Sequence, residues 1–307
     1  MLNRAFFIVF HKGIAPSLTR TDSLTDMIRY FGVNQDYEKY VLTSEGEVKS
    51  LKDRDDICLE YHLPHYDSSL QANGFMETSA YIHIYKNKLH FPHEFIGIAQ
   101  YDMIWNDDAI HLIRNQNQAD VVLAKTKDII FLEGQWHRLM YVERIPLDYI
   151  IGSYNRYFKS NHTKEDLEGR NLTLWQTYFM HRSVFEDLAG WLSVLVYEIY
   201  PWANRPPYET HWGHLGGITE RAEAIFFGLR KDLCISEIGL HHTSDVVAAL
   251  KISKDHYYSR QSPANKYSIK TLRQNTRKSI SRLKSLALKI RFWPWNLKGS
   301  RENSGRK

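Results

Sequence analysis

Short apolar runs separated by helix-patterned stretches constrain this chain more than any other feature. Residues 5–10 (AFFIVF), 95–99 (FIGIA) and 121–124 (VVLA) are the right length and composition for buried strands, and 235–239 reads as a further one. Between them the spacing predicts helices over 23–31, ended by Gly32, and over 69–85, 107–118, 147–158, 184–200 and 219–229. The last of these is expected to open with Thr219 as cap and Glu220 in its first turn, where the helix dipole favours a carboxylate. A loop holding Pro201, Pro206 and Pro207 and running to Gly213, Gly216 and Gly217 precedes it. Strand and helix in alternation imply an α/β fold: a mainly parallel sheet, covered on both faces, that binds ligands at the carboxyl ends of its strands. A chain of 307 residues with 43% hydrophobic side chains can fill such a core.

Several classes of function fall away early. Cys58 and Cys234 lie far apart with no Cys-x-x-Cys spacing, which suits a reducing compartment and gives no cysteine zinc site. The first apolar run is too short for a signal peptide core or a membrane helix. The apolar stretch 184–202 carries Glu186, Asp187 and Glu198, so it reads as a core helix and not a span. His62-x-x-His65 and His90-x-x-His93 lack the helical frame of a zinc hydrolase. No phosphate-binding glycine loop, Gly-x-Ser-x-Gly elbow or kinase motif set occurs.

The charge is divided unevenly. Residues 255–307 hold 14 Lys or Arg against Asp255 and Glu302, a net +12, so within a whole-chain charge of +5 the remainder is −7. Two segments with different tasks follow: a body over 1–250 and a basic tail over 251–307. In the tail Ile269, Leu272, Ile280, Leu283, Leu286, Leu288 and Ile290 interleave with basic residues, and Phe292-Trp293-Pro294-Trp295 follows. Basic amphipathic spacing with interfacial tryptophans suits an anionic membrane surface, which places the chain in the cytoplasm, peripheral to the inner membrane face. Nucleic acid competes for the same charges, and a solvated tail without a partner is the plainer alternative. The aromatic content, 13%, hints at a polar, ring-lined cleft such as carbohydrates use, or at an ordinary core.

Four segments resemble, in order, those of a bacterial family of glycosyltransferase-like proteins associated with capsule and lipopolysaccharide synthesis. Phe75-Met76-Glu77-Thr78-Ser79-Ala80-Tyr81, ending Tyr85-Lys86-Asn87, is similar to the family's Glu-x-Thr helix. Phe95-Ile96-Gly97-Ile98-Ala99-Gln100-Tyr101-Asp102 resembles its central strand, although much of the family has a His-Tyr-Arg-Arg type turn there. Residues 157–167, with Lys159, His162 and Asp166, resemble its Tyr-x-x-x-His and acidic segment. Phe179-Met180, Phe185, Trp191-Leu192 and then Gly217-Ile218-Thr219-Glu220-Arg221 resemble its Trp-Leu helix and Glu-Arg element. The resemblance implies a GT-A-like, Rossmann-type sheet flanked by helices. It also implies transfer of a sugar from a nucleotide-sugar donor, plausibly a uridine diphosphate sugar, to a surface glycan or glycolipid acceptor.

Breaking a sugar–phosphate bond builds negative charge on the leaving diphosphate and, in an inverting transfer, requires a base for the acceptor hydroxyl. Asp102, just past a buried strand, stands where GT-A enzymes place the carboxylate that holds Mn²⁺ or Mg²⁺, with the Gln100 carbonyl beside it; its other reading is a turn-capping carboxylate. Glu220 is the candidate base or acceptor clamp, or else a simple helix-dipole carboxylate. His242, of the His241-His242 pair after the last strand, is a candidate to complete the metal shell. His11 and Lys12 end the first strand, where a donor base or phosphate would lie, and Tyr101 and Glu77 are candidate donor contacts. Two rivals stand beside the transferase: a nucleic-acid-associated protein that works through its tail, and a glycan-binding module on a degenerate transferase fold.

Overall fold

The structure is a computed structural model that describes residues 3–51, 54–115, 118–124, 145–170, 175–202, 214–242 and 244–251. The tail expected over 251–307 lies outside the described residues beyond Lys251, as does the expected loop over 203–213.

The central sheet has seven strands: β1 (Arg4–Phe10), β3 (Ile28–Gly32), β6 (Ile57–Leu59), β7 (Phe95–Gln100), β9 (Val121–Ala124), β10 (Tyr178–His181) and β11 (Ile235–Ile238). Their order is β11-β9-β10-β7-β1-β3-β6. β1 is parallel to both β3 and β7, β3 to β6 and β9 to β11, whereas β10 runs antiparallel between β7 and β9. This is the mainly parallel α/β sheet expected from the alternating elements. Small accessory pairings surround it: β2 (Gly13–Ile14), β4 (Tyr40–Leu42) and β5 (Val48–Ser50) form one sheet, and β8 (Met103–Ile104) pairs with β12 (His241–His242).

The central stretches of β1, β7 and β9 are apolar on consecutive residues because both faces are covered. Phe7, Val9, Ile96 and Ile98 point into one core with Tyr81, Phe185, Trp191 and Phe226. Phe6, Ile8 and Phe10 point into the other, with Trp105 and Ile113. The first core is covered by α3 (Thr78–Lys86), α5 (Leu147–Phe158), α6 (Arg182–Ile199) and α7 (His214–Leu229), and the second by α4 (Asp107–Asn115). Among the described residues no helix is long and apolar enough to cross a membrane, and α6 is an internal core helix as expected.

Three local expectations are corrected. The helix expected over 23–31 is a short 3₁₀ turn, Thr21–Leu24, followed by β3. Its Ile28, Tyr30 and Phe31 are buried against β1, and burial of β-branched and aromatic side chains overrides a weak helical spacing. The helix expected over 69–85 is two helices, α2 (Ser68–Ala72) and α3, broken where Gly74 and Met76 take positive φ values of 77° and 55°. Finally, the helix expected to open at Thr219 begins at His214. Thr219 lies inside it with its hydroxyl donating to the Leu215 and Gly216 carbonyls, so Glu220 stands in the second turn and not the first.

β1 and β7 pack closely because Gly97 has no side chain. It sits in register with both Phe6 and Phe179, whose rings stack across it with centroids 5.8 Å apart. A Cβ at Gly97 would collide with the Phe6 ring. Gly97→Ala is therefore expected to destabilise the chain by about 1–3 kcal/mol, the usual cost of overpacking a core, and a denaturation midpoint measured by circular dichroism would report it.

Candidate functional site

The carboxyl end of the parallel sheet gathers the candidate residues. β1 delivers His11 and Lys12, and β7 delivers Gln100 and then the Tyr101–Asp102 turn. Because β10 runs the other way, its leading segment, Trp175 to Thr177, arrives at the same edge. α3 and α7 close the site from one face. The hydroxyls of Thr78 and Thr219 meet at 2.6 Å, both buried, and the Gly216 N–H donates to the Gly74 carbonyl at 3.0 Å.

Glu77 stands immediately before α3, its carboxylate 3.3 Å from His11 Nε2. Burial pushes its acidity toward the neutral form, but the hydrogen bond and charge of His11 prevail and hold Glu77 below the ordinary carboxylate value. His11 Nδ1 is buried and has no hydrogen-bond partner among the described residues, and the same is true of Arg221 Nε. Lys12 lies over the Tyr37 ring, 4.4 Å from its centroid. Tyr101 is pushed up by burial and by the charges of Asp102 and Glu77, so these three groups share one electrostatic environment. Asp102 is 6% exposed, and Gln100 is half-buried at the strand end.

Glu220 accepts a 2.7 Å hydrogen bond from the Trp175 N–H through Oε1, while its Oε2 lies 3.9 Å from Arg221 Nη1. One turn further along α7, Glu223 is fully buried and accepts from Gln176 Nε2 at 2.7 Å. Burial above all, with the charges of Glu220 and Glu77 adding to it, drives Glu223 well above the ordinary carboxylate value. Its surroundings therefore favour the neutral form.

His242 is placed by its backbone. β12 pairs with β8 so that His242 is in register with Met103, the residue after Asp102. Distant stretches of sequence thus bring the backbone of His242 opposite the residue that follows Asp102. Among the described residues no three acids, histidines or cysteines surround a common point as a complete metal shell.

Of the residues singled out in the sequence, His11, Lys12, Gln100, Tyr101 and Asp102 follow or end strands at this edge, and Glu77 and Glu220 lie beside them. Glu223, Gln176, Trp175 and the Thr78–Thr219 contact, which lie there too, were not singled out. The Glu220-x-x-Glu223 spacing, which puts two acids on one helical face, was the available signal. By contrast the Lys159, His162 and Asp166 segment lies away from this edge: Asp166 pairs with Lys231, beyond the far end of α7. A 300 Å³ cavity lined by Leu63, His65, Lys86 and Lys88 likewise sits at the opposite end of α3 from Glu77.

No protein-family model and no curated protein sequence matches the chain. Among solved structures it is similar to the bifunctional glycosyltransferase WbbM in its apo form, with a TM-score of 0.52 and 14% identity over 78% of this chain. The match takes in only 45% of that longer chain. The galactosyltransferase LgtC, solved with donor and acceptor sugar analogues, aligns over 76% of this chain and 73% of its own at 10% identity, with a TM-score of 0.29 that is too low to indicate a shared fold. The likeness to WbbM shows the fold, and the chain has the GT-A-like α/β architecture.

The raised pKa of Glu223 makes the stability of the chain depend on pH. Its folded value lies above its unfolded one, so its stabilising contribution is complete below the unfolded value and is lost as pH rises toward the folded value. Glu223→Gln does not titrate. The melting temperature of that variant relative to the native chain is expected to climb in a thermal scan as pH rises above the ordinary glutamate value, and a pH-independent difference would contradict this.

Proposed function

We propose that this chain is a glycosyltransferase that moves a sugar from a nucleotide-sugar donor to a hydroxyl of a glycan or glycolipid. The observation that carries the reading is the convergence of His11, Glu77, Tyr101, Asp102 and Glu220 at the carboxyl edge of a GT-A-like sheet, the edge at which such sheets bind ligands. The resemblance seen in the sequence makes a uridine diphosphate sugar the proposed donor and a capsule or lipopolysaccharide glycan the proposed acceptor.

In the reaction the bond from the anomeric carbon to the diphosphate oxygen breaks, and its electron pair leaves with the diphosphate. A new bond forms from the acceptor oxygen to the anomeric carbon. Glu220 is the group to take the acceptor proton in an inverting transfer, since the Trp175 amide holds one oxygen and fixes the direction of the other. His11 Nδ1 and Arg221 Nε, both buried, are donors suited to the oxygens of the nucleotide diphosphate. Asp102 and His242 would hold a divalent ion, which when bound supplies positive charge for the leaving group. The bifunctional glycosyltransferase WbbM supports the reading through its shared fold.

Two measurements test this. Thermal shift across a panel of nucleotide sugars, with and without Mn²⁺, is expected to single out one nucleotide family. Saturation at 100 times Kd stabilises by about 2.7 kcal/mol. Asp102→Ala should lose the metal-dependent part, whereas Glu220→Gln should keep donor binding and lose about 10²–10⁴-fold in transfer rate. No shift with any nucleotide sugar would remove the transferase reading.

For the tail beyond Lys251 we propose an anionic membrane surface as partner, each basic residue adding about 1 kcal/mol near it. Sedimentation with phosphatidylserine vesicles should retain the full chain and release one truncated after residue 251. Equal retention of the two would sink the proposal, as would a preference for oligonucleotide over vesicle.

A further inference from the structure

Two consecutive residues other than glycine take left-handed backbone conformations at the site: Trp175 with φ 76° and Gln176 with φ 42°. Such backbones are strained and persist only where the surroundings over-determine them. The surroundings here do so through four polar groups of the turn. The Trp175 N–H donates to Glu220 at 2.7 Å, and the Trp175 carbonyl accepts from the Thr177 hydroxyl at 2.8 Å. The Gln176 carbonyl accepts from the Tyr81 hydroxyl at 3.2 Å, and its side-chain amide donates to Glu223 at 2.7 Å and to Thr78 at 3.0 Å. Thr78 in turn meets Thr219, one residue before Glu220.

The consequence is a closed ring of contacts. Glu220 and Glu223 sit one helical turn apart on α7, and one grips the main chain of the turn while the other grips its side chain. We propose that Glu223, acting through Gln176, is a positioning residue that locks the Trp175–Gln176 turn in its left-handed form, so that the Trp175 amide aims the Glu220 carboxylate at the acceptor hydroxyl. This assignment rests on the transferase reading for the word acceptor, but the lock itself is a property of the fold. Glu223 touches neither donor nor acceptor. Its carboxyl is fully buried, and what it supplies is an acceptor oxygen at a fixed place, which a glutamine amide also supplies and an alanine does not.

The test uses the full chain labelled with 5-fluorotryptophan, the Trp175 resonance being assigned by its loss in Trp175→Phe. Glu223→Ala and Gln176→Ala are expected to shift or broaden that resonance, while Glu223→Gln leaves it at its native position. With the donor identified by thermal shift, Glu223→Ala should lower kcat about 10²-fold, the cost of a misplacement near 1 Å, with donor KM changed less than about threefold. Glu223→Gln should restore kcat to within about threefold of native. Two results overturn the assignment: Glu223→Gln behaving like Glu223→Ala in both readouts, or Glu223→Ala leaving the Trp175 resonance and kcat native. Should Glu223→Ala fail to fold, Gln176→Ala puts the same question from the other side of the bond. A native chain that turns over no nucleotide sugar defeats the transferase reading alone, because the fluorine spectrum still decides whether the lock exists.

Discussion

Strands β1 and β7 lie side by side and parallel, and the site depends on that contact. Phe6 to Phe10 is apolar at every position because each face of the strand has its own core, and Gly97 lets the neighbouring strand come close enough for the Phe6 and Phe179 rings to stack. Parallel pairing means that both strands end at the same edge. His11 and Asp102, remote in sequence, are therefore delivered to one place without any direct bond between them. The antiparallel β10 adds the opposite: its beginning, and not its end, reaches that edge, so the turn at Trp175 and Gln176 can meet Glu220 and Glu223.

The electrostatics of this edge follow from how little cation it contains. Four carboxyl groups, those of Glu77, Asp102, Glu220 and Glu223, share it with His11, Lys12 and Arg221. Burial, with the charges of Glu220 and Glu77 beside it, drives Glu223 toward its neutral form. Glu77, supported by His11, remains ionised despite its burial. Environment alone thus sets two buried carboxyls of one edge apart.

Much of this was legible in advance. Apolar runs over 95–99 and 121–124 and the helix over 147–158 are found with at most one residue of change, because strong local pattern and tertiary burial agree there. His11 and Asp102 were expected just past strands and Glu77 and Glu220 on or at the start of helices; the strand positions are found, and Glu77 lies beside His11. The misreadings have physical causes. Residues 28–32 mix helical and strand spacing, and only pairing with β1 decides for the strand. Thr219 looks like a helix cap because threonine often is one, yet the helix has already begun at His214 and its hydroxyl turns inward to the backbone and to Thr78.

The sequence by itself determined the layered α/β class, the polarity of the sheet and the carboxyl-end location of the candidate acids, since these depend on periodicity and on the order of elements. The tertiary structure alone decided that Glu223 is buried and pushed toward its neutral form, that Gln176 binds it, and that Trp175 and Gln176 adopt left-handed conformations. No local preference favours such a backbone at tryptophan or glutamine. It exists because contacts from α3, α7 and β10, drawn from three separate regions of the chain, outweigh its cost together.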